Sequence, residues 1–419
     1  MADDLVVIGL GYVGLPLAQE AVRSGHRVVG LDTAPAVVDQ LNAGRSHVDD
    51  LSDADIAVMV AGGFRATTDP ACVGKADVVV ICVPTPLDSD DGPDLGAVLA
   101  ASRGVAAHVR PGTLVVLEST TYPGTTEDVL RPLLEADGLR VGEDLHLAFS
   151  PERIDPGNPR FGLRNTPKVV GGVTPACGER AAEFYRTVVD DVVIVPRARE
   201  AELTKLLENT YRHINIALVN EMAKFCHELD IDLWSVIDAA ATKPFGFQPF
   251  RPGPGVGGHC IPIDPNYLSY KVRSDLGYPF RFVELAQEIN SSMPAYVVDR
   301  VGELLARDGR TLDGARVLLL GVSYKRDIAD DRETPSADVA RVLHERGATV
   351  VYDDPVLGEW THSPVPAERA GDLTEALASC DVAVLLQDHS AYDLDALASS
   401  GTQVLDTRGR LTGPSVERL

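Results

Sequence analysis

Leu5-Val6-Val7-Ile8-Gly9-Leu10-Gly11-Tyr12-Val13-Gly14-Leu15-Pro16-Leu17-Ala18 reads as a short apolar strand that runs into three glycines and then into a helix. The spacing Gly9-x-Gly11-x-x-Gly14 is weak evidence alone, because chance supplies it. Here it follows a strand, opens a helix over residues 15–24, and precedes a second strand, residues 27–31, that leads into Asp32. In that setting the first glycine allows a tight turn and the second lets backbone approach a pyrophosphate. The third permits close helix packing, with phosphates on the helix N-terminus. Gly9, Gly11, Tyr12, Val13 and Gly14 are therefore the expected dinucleotide cradle. Asp32 would accept from the adenosine ribose hydroxyls and repel a 2′-phosphate, so the cofactor expected is NAD. The competing reading is a plain strand-to-helix turn, and the surrounding pattern favours the ligand.

The rhythm continues outward from this unit. Strands are expected over residues 77–83, 113–118 and 145–149, giving a doubly wound parallel sheet. They end on Val83-Pro84-Thr85-Pro86, Ser119-Thr120-Thr121-Tyr122-Pro123-Gly124 and Ser150-Pro151-Glu152. Each is a turn in isolation; together at one rim they are expected to face the nicotinamide. Residues 199–230 read as one long helix, with Leu203, Leu206, Leu207, Ile214, Leu218 and Met222 at helical spacing, suited to a second subunit. A Pro/Gly-rich segment over 244–265 and a helix over 282–306 follow. The α/β rhythm then restarts, with strands at 316–320, 349–353, 381–386 and 402–406, a helix at 336–346 and a loop at 358–367. The fold class is α/β: two Rossmann-like doubly wound domains, 1–197 and 301–419, joined by a central helical dimerisation region, 198–300.

A formal net charge of -24 argues against nucleic acid and anionic membrane surfaces as partners. An anionic ligand must then be met by local Lys and Arg clusters. No apolar run is long enough for a membrane span, and the acidic start Met1-Ala2-Asp3-Asp4 is not expected to be a signal peptide. The six cysteines are scattered, with no CxxC pair and no metal spacing, which suits a reducing cytoplasm. Seven lysines stand against thirty-one arginines, a bias expected of GC-rich coding.

Gly253-Pro254-Gly255-Val256-Gly257-Gly258-His259-Cys260-Ile261-Pro262-Ile263-Asp264 places a cysteine at the end of a glycine- and proline-dense loop. Glycines let backbone approach a ligand closely, so Cys260 is expected to meet substrate rather than fill a core. His259 invites a metal or Cys–His reading, but no other ligands cluster near it. Asp264 lies one turn beyond Cys260 if Pro262 begins a helix. Lys205 and Asn209, spaced i, i+4, share a helix face; Glu202, Lys205 and Glu208 equally form an exposed charge stripe. Glu152 ends a strand at the ligand rim, where lone carboxylates are often caps.

These residues, in this order over essentially the whole chain, resemble the nucleotide-sugar 6-dehydrogenases, the family of UDP-glucose dehydrogenase and its UDP-N-acetylhexosamine relatives. The resemblance rests on Gly9 to Gly14, Val83-Pro84-Thr85-Pro86, Glu118-Ser119-Thr120 through Gly124, Ser150-Pro151-Glu152-Arg153, Glu202-Leu203-Thr204-Lys205 with Asn209, and Gly257-Gly258-His259-Cys260. Ser323-Tyr324-Lys325, Asp331-Arg332-Glu333-Thr334-Pro335 and Asp406-Thr407-Arg408 extend it. It implies oxidation of a sugar C6 hydroxyl to a carboxylate by two hydride transfers to NAD. Cys260 would be the nucleophile, forming a thiohemiacetal and then a thioester. Lys205 and Asn209 would stabilise oxyanions, while Asp264, Thr120 and Glu152 would order water and relay protons. Lys325 and Arg408 would hold the diphosphate and sugar, and Arg332 would reach NAD across a subunit boundary. Phe250, Arg251 and Gly257 belong to the segment that would wrap the sugar nucleotide. A homodimer or larger homo-oligomer with no metal is implied.

Two positions depart from the glucose enzymes. Ile263 stands where they commonly carry Lys, and Pro156 where many carry a second carboxylate. Ser150-Pro151-Glu152-Arg153-Ile154-Asp155-Pro156-Gly157-Asn158 and Gly258-His259-Cys260-Ile261-Pro262-Ile263-Asp264-Pro265 look more like the branch acting on UDP-N-acetylglucosamine or UDP-N-acetylmannosamine. dTDP-glucose is a further candidate substrate. Two other classes compete: an NAD-dependent epimerase or dehydratase, suggested by Tyr267-x-x-x-Lys271, and an inactive sugar-nucleotide-binding scaffold.

Overall fold

The computed structural model describes residues 3–48, 50–87, 92–155, 158, 160–258, 261 and 263–419. Packing divides the chain into two units, Met1–Glu208 with Ile263–Tyr278, and Asn209–Pro262 with Pro279–Leu419. A 31-residue helix, Ala198–Glu228, contributes to both.

The first unit holds an eight-stranded sheet of β1 (Asp4–Ile8), β2 (Arg27–Leu31), β3 (Arg65–Thr67), β4 (Val78–Ile81), β5 (Leu114–Leu117), β6 (His146–Phe149), β7 (Lys168–Gly172) and β8 (Val192–Val195). Its order is β3-β2-β1-β4-β5-β6-β7-β8. The central strands are uninterrupted apolar runs because both faces are covered. Val7, Val80 and Val116 enter one core cluster, and Val6, Val79 and Val115 the other. Register pairs Ile8 with both Leu31 and Ile81, Ile81 with Leu117, and Leu117 with Phe149, so five carboxyl ends are level at one rim.

The second unit carries β9 (Arg316–Leu320), β10 (Thr349–Asp353), β11 (Ala367–Arg369), β12 (Val382–Leu385), β13 (Val404–Asp406) and β14 (Val416–Arg418), all parallel in the order β11-β10-β9-β12-β13-β14. Both sheets therefore contain the doubly wound order whose switch point lies between the first and fourth strands. Gly9 and Gly321 repeat one device: each has positive φ, and a Cβ on either would come 2.6 Å from the chain just past the fourth strand of its own sheet. No helix among the described residues is long and apolar enough to cross a membrane.

Two expectations need correction. The first sheet is not wholly parallel, because β7 runs antiparallel to β6. The helix after the Pro/Gly loop is Asp264–Leu276, so Asp264 is its first residue and the helix does not begin at Pro262, the condition on which Asp264 was expected one turn beyond Cys260. Pro265 occupies the second helical position, where its missing N–H leaves nothing unsatisfied. Pro262 itself lies outside the described residues.

Candidate active site

The glycine turn between β1 and the helix Gly14–Arg23 is shaped by contacts that forbid side chains. Gly9 has φ +88°, and a Cβ on Gly14 would lie 1.9 Å from the Gly9 carbonyl oxygen. At Gly11 a Cβ would meet nothing within 4 Å. That bare backbone at a helix N-terminus fits a dinucleotide pyrophosphate. Asp32 accepts from the Leu10 amide at 3.0 Å through Oδ2 and from the Ala34 amide at 2.9 Å through Oδ1, so it braces the turn as well as presenting charge beside it. Tyr12 is exposed, and Val13 precedes the helix. Pro84 is exposed and Thr85 half-buried. The Thr85 carbonyl accepts from the buried Tyr267 hydroxyl, and the Ser119 hydroxyl donates to the Val83 carbonyl at 2.7 Å. Tyr267 thus anchors the Val83–Pro86 turn, and Lys271 lies over the Tyr122 ring with its ammonium 2.9 Å from Asp275.

Beyond β5 and β6 lies a buried charged cluster. Lys168 donates to Glu118 Oε2 at 2.9 Å, the Tyr185 hydroxyl donates to Glu118 Oε1, and Lys168 Nζ is 3.6 Å from Glu152 Oε2. Glu152 Oε1 accepts from the amides of Arg153 and Ile154 at 2.6 and 2.5 Å, whereas its Oε2 has no hydrogen-bond partner among the described residues. The Glu152 side chain is therefore no simple cap. Burial pushes the Glu118 carboxyl up, opposed by Lys168. A cavity of about 10 Å³, room for roughly one water, is lined by Glu152, Arg153, Thr166, Pro167 and Lys168 among others. Thr120 is half-buried on the neighbouring strand end.

The charge-stripe alternative for the long helix fails at two of its three positions. Glu202 is buried, accepting from the Gly124 amide at 2.6 Å and from the Thr126 amide and hydroxyl at 2.8 and 2.7 Å. Lys205 is 8% exposed. Glu208 is open enough to pair with Arg153 at 2.6 Å. Asn209 is half-buried on the next turn after Lys205, and Asp264 is 2% exposed. Cys260 and His259 lie outside the described residues, as does Pro156.

In the second unit the glycines before Cys260 fit against their own chain rather than open space. A Cβ on Gly257 would lie 2.7 Å from Pro335 and 2.8 Å from the Glu333 carbonyl, and the Gly258 amide donates to that carbonyl at 2.9 Å. At the other end of the loop the Gly253 amide donates to Asn220 Oδ1 at 2.9 Å. Asn220 bonds Asn290 at 2.9 Å, and Asn290 reaches the His213 carbonyl at 3.3 Å. Burial lowers His213 to about 4, so the imidazole is neutral. Phe250 packs edge-on against Tyr211, and Arg251 pairs with Asp238 beside Trp234. Lys325 is half-buried, and Arg332 is exposed and pairs with Asp330 at 2.6 Å. Arg408, Arg326 and Arg410 surround the buried Asp388 at 3.7, 3.3 and 3.1 Å, at the carboxyl ends of β12 and β13. These three arginines are a local gathering of cations in a chain whose net charge is -24.

Sequence reasoning missed Lys168, Tyr185 and Asp388, none of which sits in a recognisable motif. Lys168 had one signal: it is one of only seven lysines in a chain with thirty-one arginines. Among the described residues no three His, Cys, Asp or Glu side chains gather where a metal ion could be held.

Three models of the UDP-glucose/GDP-mannose dehydrogenase family match the chain: the NAD binding domain over residues 3–189, the central domain over 199–292 and the UDP binding domain over 318–412. The UDP-N-acetyl-D-mannosamine dehydrogenase of Escherichia coli K12 is 35% identical over 401 residues, covering 92% of this chain and 93% of that protein. The NDP-N-acetyl-D-galactosaminuronic acid dehydrogenase of Ralstonia nicotianae is 36% identical over 421 residues, covering 96% and 95%. The solved structure of a UDP-D-ManNAc dehydrogenase from Pyrococcus horikoshii superposes with a TM-score of 0.89 at 31% identity, covering 99% of this chain and 98% of that one.

Proposed function

The chain belongs to the UDP-glucose/GDP-mannose dehydrogenase family, and from that premise we propose that it oxidises the C6 hydroxyl of a UDP-N-acetylhexosamine to the uronic acid through a covalent Cys260 intermediate. It is an NAD-dependent nucleotide-sugar dehydrogenase. The observation that carries the proposal is the level rim of β1, β4, β5 and β6. There the dinucleotide cradle, Thr120 and the one undonated carboxylate oxygen of Glu152 occupy the ends of adjacent strands.

Bound NAD supplies the hydride acceptor for each two-electron oxidation. Gly11 presents bare backbone to its phosphates, and Asp32 favours the unphosphorylated ribose. Cys260 adds through sulfur to the C6 aldehyde, which keeps a reactive species from escaping, and the resulting thiohemiacetal is oxidised to a thioester. Lys205 and Asn209 stabilise the oxyanions of these steps, and the burial of Lys205 places it where the attraction between an ammonium and an oxyanion is stronger than in water. Water then attacks the thioester carbon and gives up a proton to Glu152, with Thr120 and Asp264 ordering it. The carbon–sulfur bond breaks, releasing the acid and restoring the thiol.

Lys325 and Arg408 hold the diphosphate and sugar in this proposal, with Phe250, Arg251 and Gly257 on the wrapping segment and Arg332 reaching NAD. The relatives named for N-acetylhexosamines, with Ile263 and Pro156 in this chain, support an N-acetyl sugar over glucose or dTDP-glucose. The epimerase alternative needs Tyr267 as an acid–base group, yet its hydroxyl is committed to the Thr85 carbonyl. Functional divisions at 1–197, 198–300 and 301–419, action in the cytoplasm and assembly as a homodimer complete the proposal.

The test is NAD reduction by the purified protein against UDP-N-acetylmannosamine, UDP-N-acetylglucosamine, UDP-glucose and dTDP-glucose. An N-acetyl substrate should give the highest kcat/KM. Preference for either glucose nucleotide would overturn the substrate assignment, and silence with all four would favour the inactive scaffold.

A further inference from the structure

We infer that Lys168 is a positioning residue for Glu152, its ammonium 3.6 Å away holding the undonated Oε2 ready to take the proton of the attacking water. The inference rests on the hydrolytic role of Glu152 proposed above.

Topology delivers Lys168 to the site. In a wholly parallel sheet the first residue of a strand lies at the rim opposite the ligand. β7 reverses direction, pairing Phe149 with Gly171 and Ala148 with Gly172. Continuing that register past Phe149 brings Lys168 level with Glu152, at the carboxyl rim. The lysine side chain is 5% exposed there, between Glu118 and Glu152 at 0% and 9%. Stability alone does not explain such a cluster, since apolar replacement of a buried ion pair is often neutral or stabilising.

The hydrogen bonds assign the parts. Of the four carboxylate oxygens, Glu118 Oε1 is held by Tyr185, Glu118 Oε2 by Lys168, and Glu152 Oε1 by two backbone amides. Only Glu152 Oε2 has no donor, and the ammonium 3.6 Å away is the nearby positive charge acting on it. The other titratable groups that interact with it are Glu118 and Cys82; burial pushes the Cys82 thiol well up and so keeps it neutral, as it does the Tyr185 phenol beside Glu118. The Arg153 guanidinium is committed to Glu208 and to the Pro167 carbonyl at 2.6 Å. Burial works against the Lys168 charge, but Glu118 and Glu152 together hold the ammonium above its usual range. With Lys168 neutralised, two buried carboxylates would share one site and one of them would take up a proton.

The experiment is the pH profile, from 5 to 9, of acid formation in a single turnover of the full-length enzyme with NAD and its best sugar nucleotide. Lys168→Met should move the acid limb up by about one pH unit, with both KM values within about twofold. Glu118→Gln, which leaves Lys168 to Glu152 alone, should move it down. Displacement in opposite directions is a signature that loss of packing does not give, and Glu118→Gln still reads the effect if Lys168→Met fails to fold. Profiles that superimpose on wild type, or that move the same way, overturn the inference. Glu152→Gln separates the two levels. If it makes acid at the wild-type rate, the role of Glu152 fails and Lys168 falls with it. If it blocks acid formation while the other profiles stay unmoved, only the role of Lys168 fails.

Discussion

Burial pushes the Glu202 carboxyl up to about 7, against the pull of the amides and hydroxyl of Gly124 and Thr126. Its ordinary value is 4.5, so the folded state holds this proton more tightly than the unfolded chain does. Between those values the native state binds more protons, and stability falls as pH rises. Denaturant unfolding at pH 5 and pH 8 should show wild type losing up to about 3 kcal/mol more than Glu202→Gln over that interval. Equal losses would mean that Glu202 is ionised throughout. The sequence left Glu202 and Lys205 undecided between site and surface, because spacing i, i+3 names a shared face without saying what covers it. Burial rules out an exposed stripe at both residues, and only tertiary packing supplies it. Lys168 was harder still, since its meaning depends on a strand reversal that no local pattern encodes.

The elements read most easily were those whose apolar runs are long enough to show a period. Residues 316–320 and 349–353 were expected as strands and form β9 and β10 with those bounds. β3, β11 and β14 have three residues each, too few for alternation to stand out from a loop. β7 and β8 went unread between the strand expected at 145–149 and the long helix. The glycine turn was legible because its three positions carry different steric demands, and those demands separate by mutation. Gly14→Ala drives a Cβ to 1.9 Å from a backbone carbonyl and should lower the unfolding temperature clearly. Gly11→Ala meets no protein atom within 4 Å, so it should leave that temperature nearly unchanged while weakening NAD about tenfold or more. Calorimetry and NAD titration of both variants check this, and equal destabilisation by the two would contradict it. In the Cys260 loop the reading of glycine as room for a ligand was incomplete. Gly257 is required by Pro335 and Glu333 of its own unit.

At the scale of the molecule, a net charge of -24 leaves anionic substrates to local cations, and the proposed function gives that task to Lys325 and Arg408, the latter one of three arginines around Asp388. The long helix carries a second large-scale feature. Leu203, Leu207, Tyr211, Leu218 and Phe225 are all at least 41% exposed, and their spacing places them within an arc of about 80°. A continuous apolar stripe of that length suits a second copy of the chain. Light scattering should give at least twice 44.8 kDa, falling on Leu207→Asp with Leu218→Asp; a monomeric wild type would contradict this. The central claim is chemical: one sugar nucleotide gives up four electrons, the second pair of them while bound to Cys260. Its most direct test is the NADH formed per mole of limiting UDP-N-acetylmannosamine, or of whichever nucleotide proves best, with the product identified by mass. Two NADH and a uronic acid are expected from wild type, with acid formation lost in Cys260→Ala and NAD binding kept. One NADH with an accumulated aldehyde, or two NADH from Cys260→Ala, would contradict it.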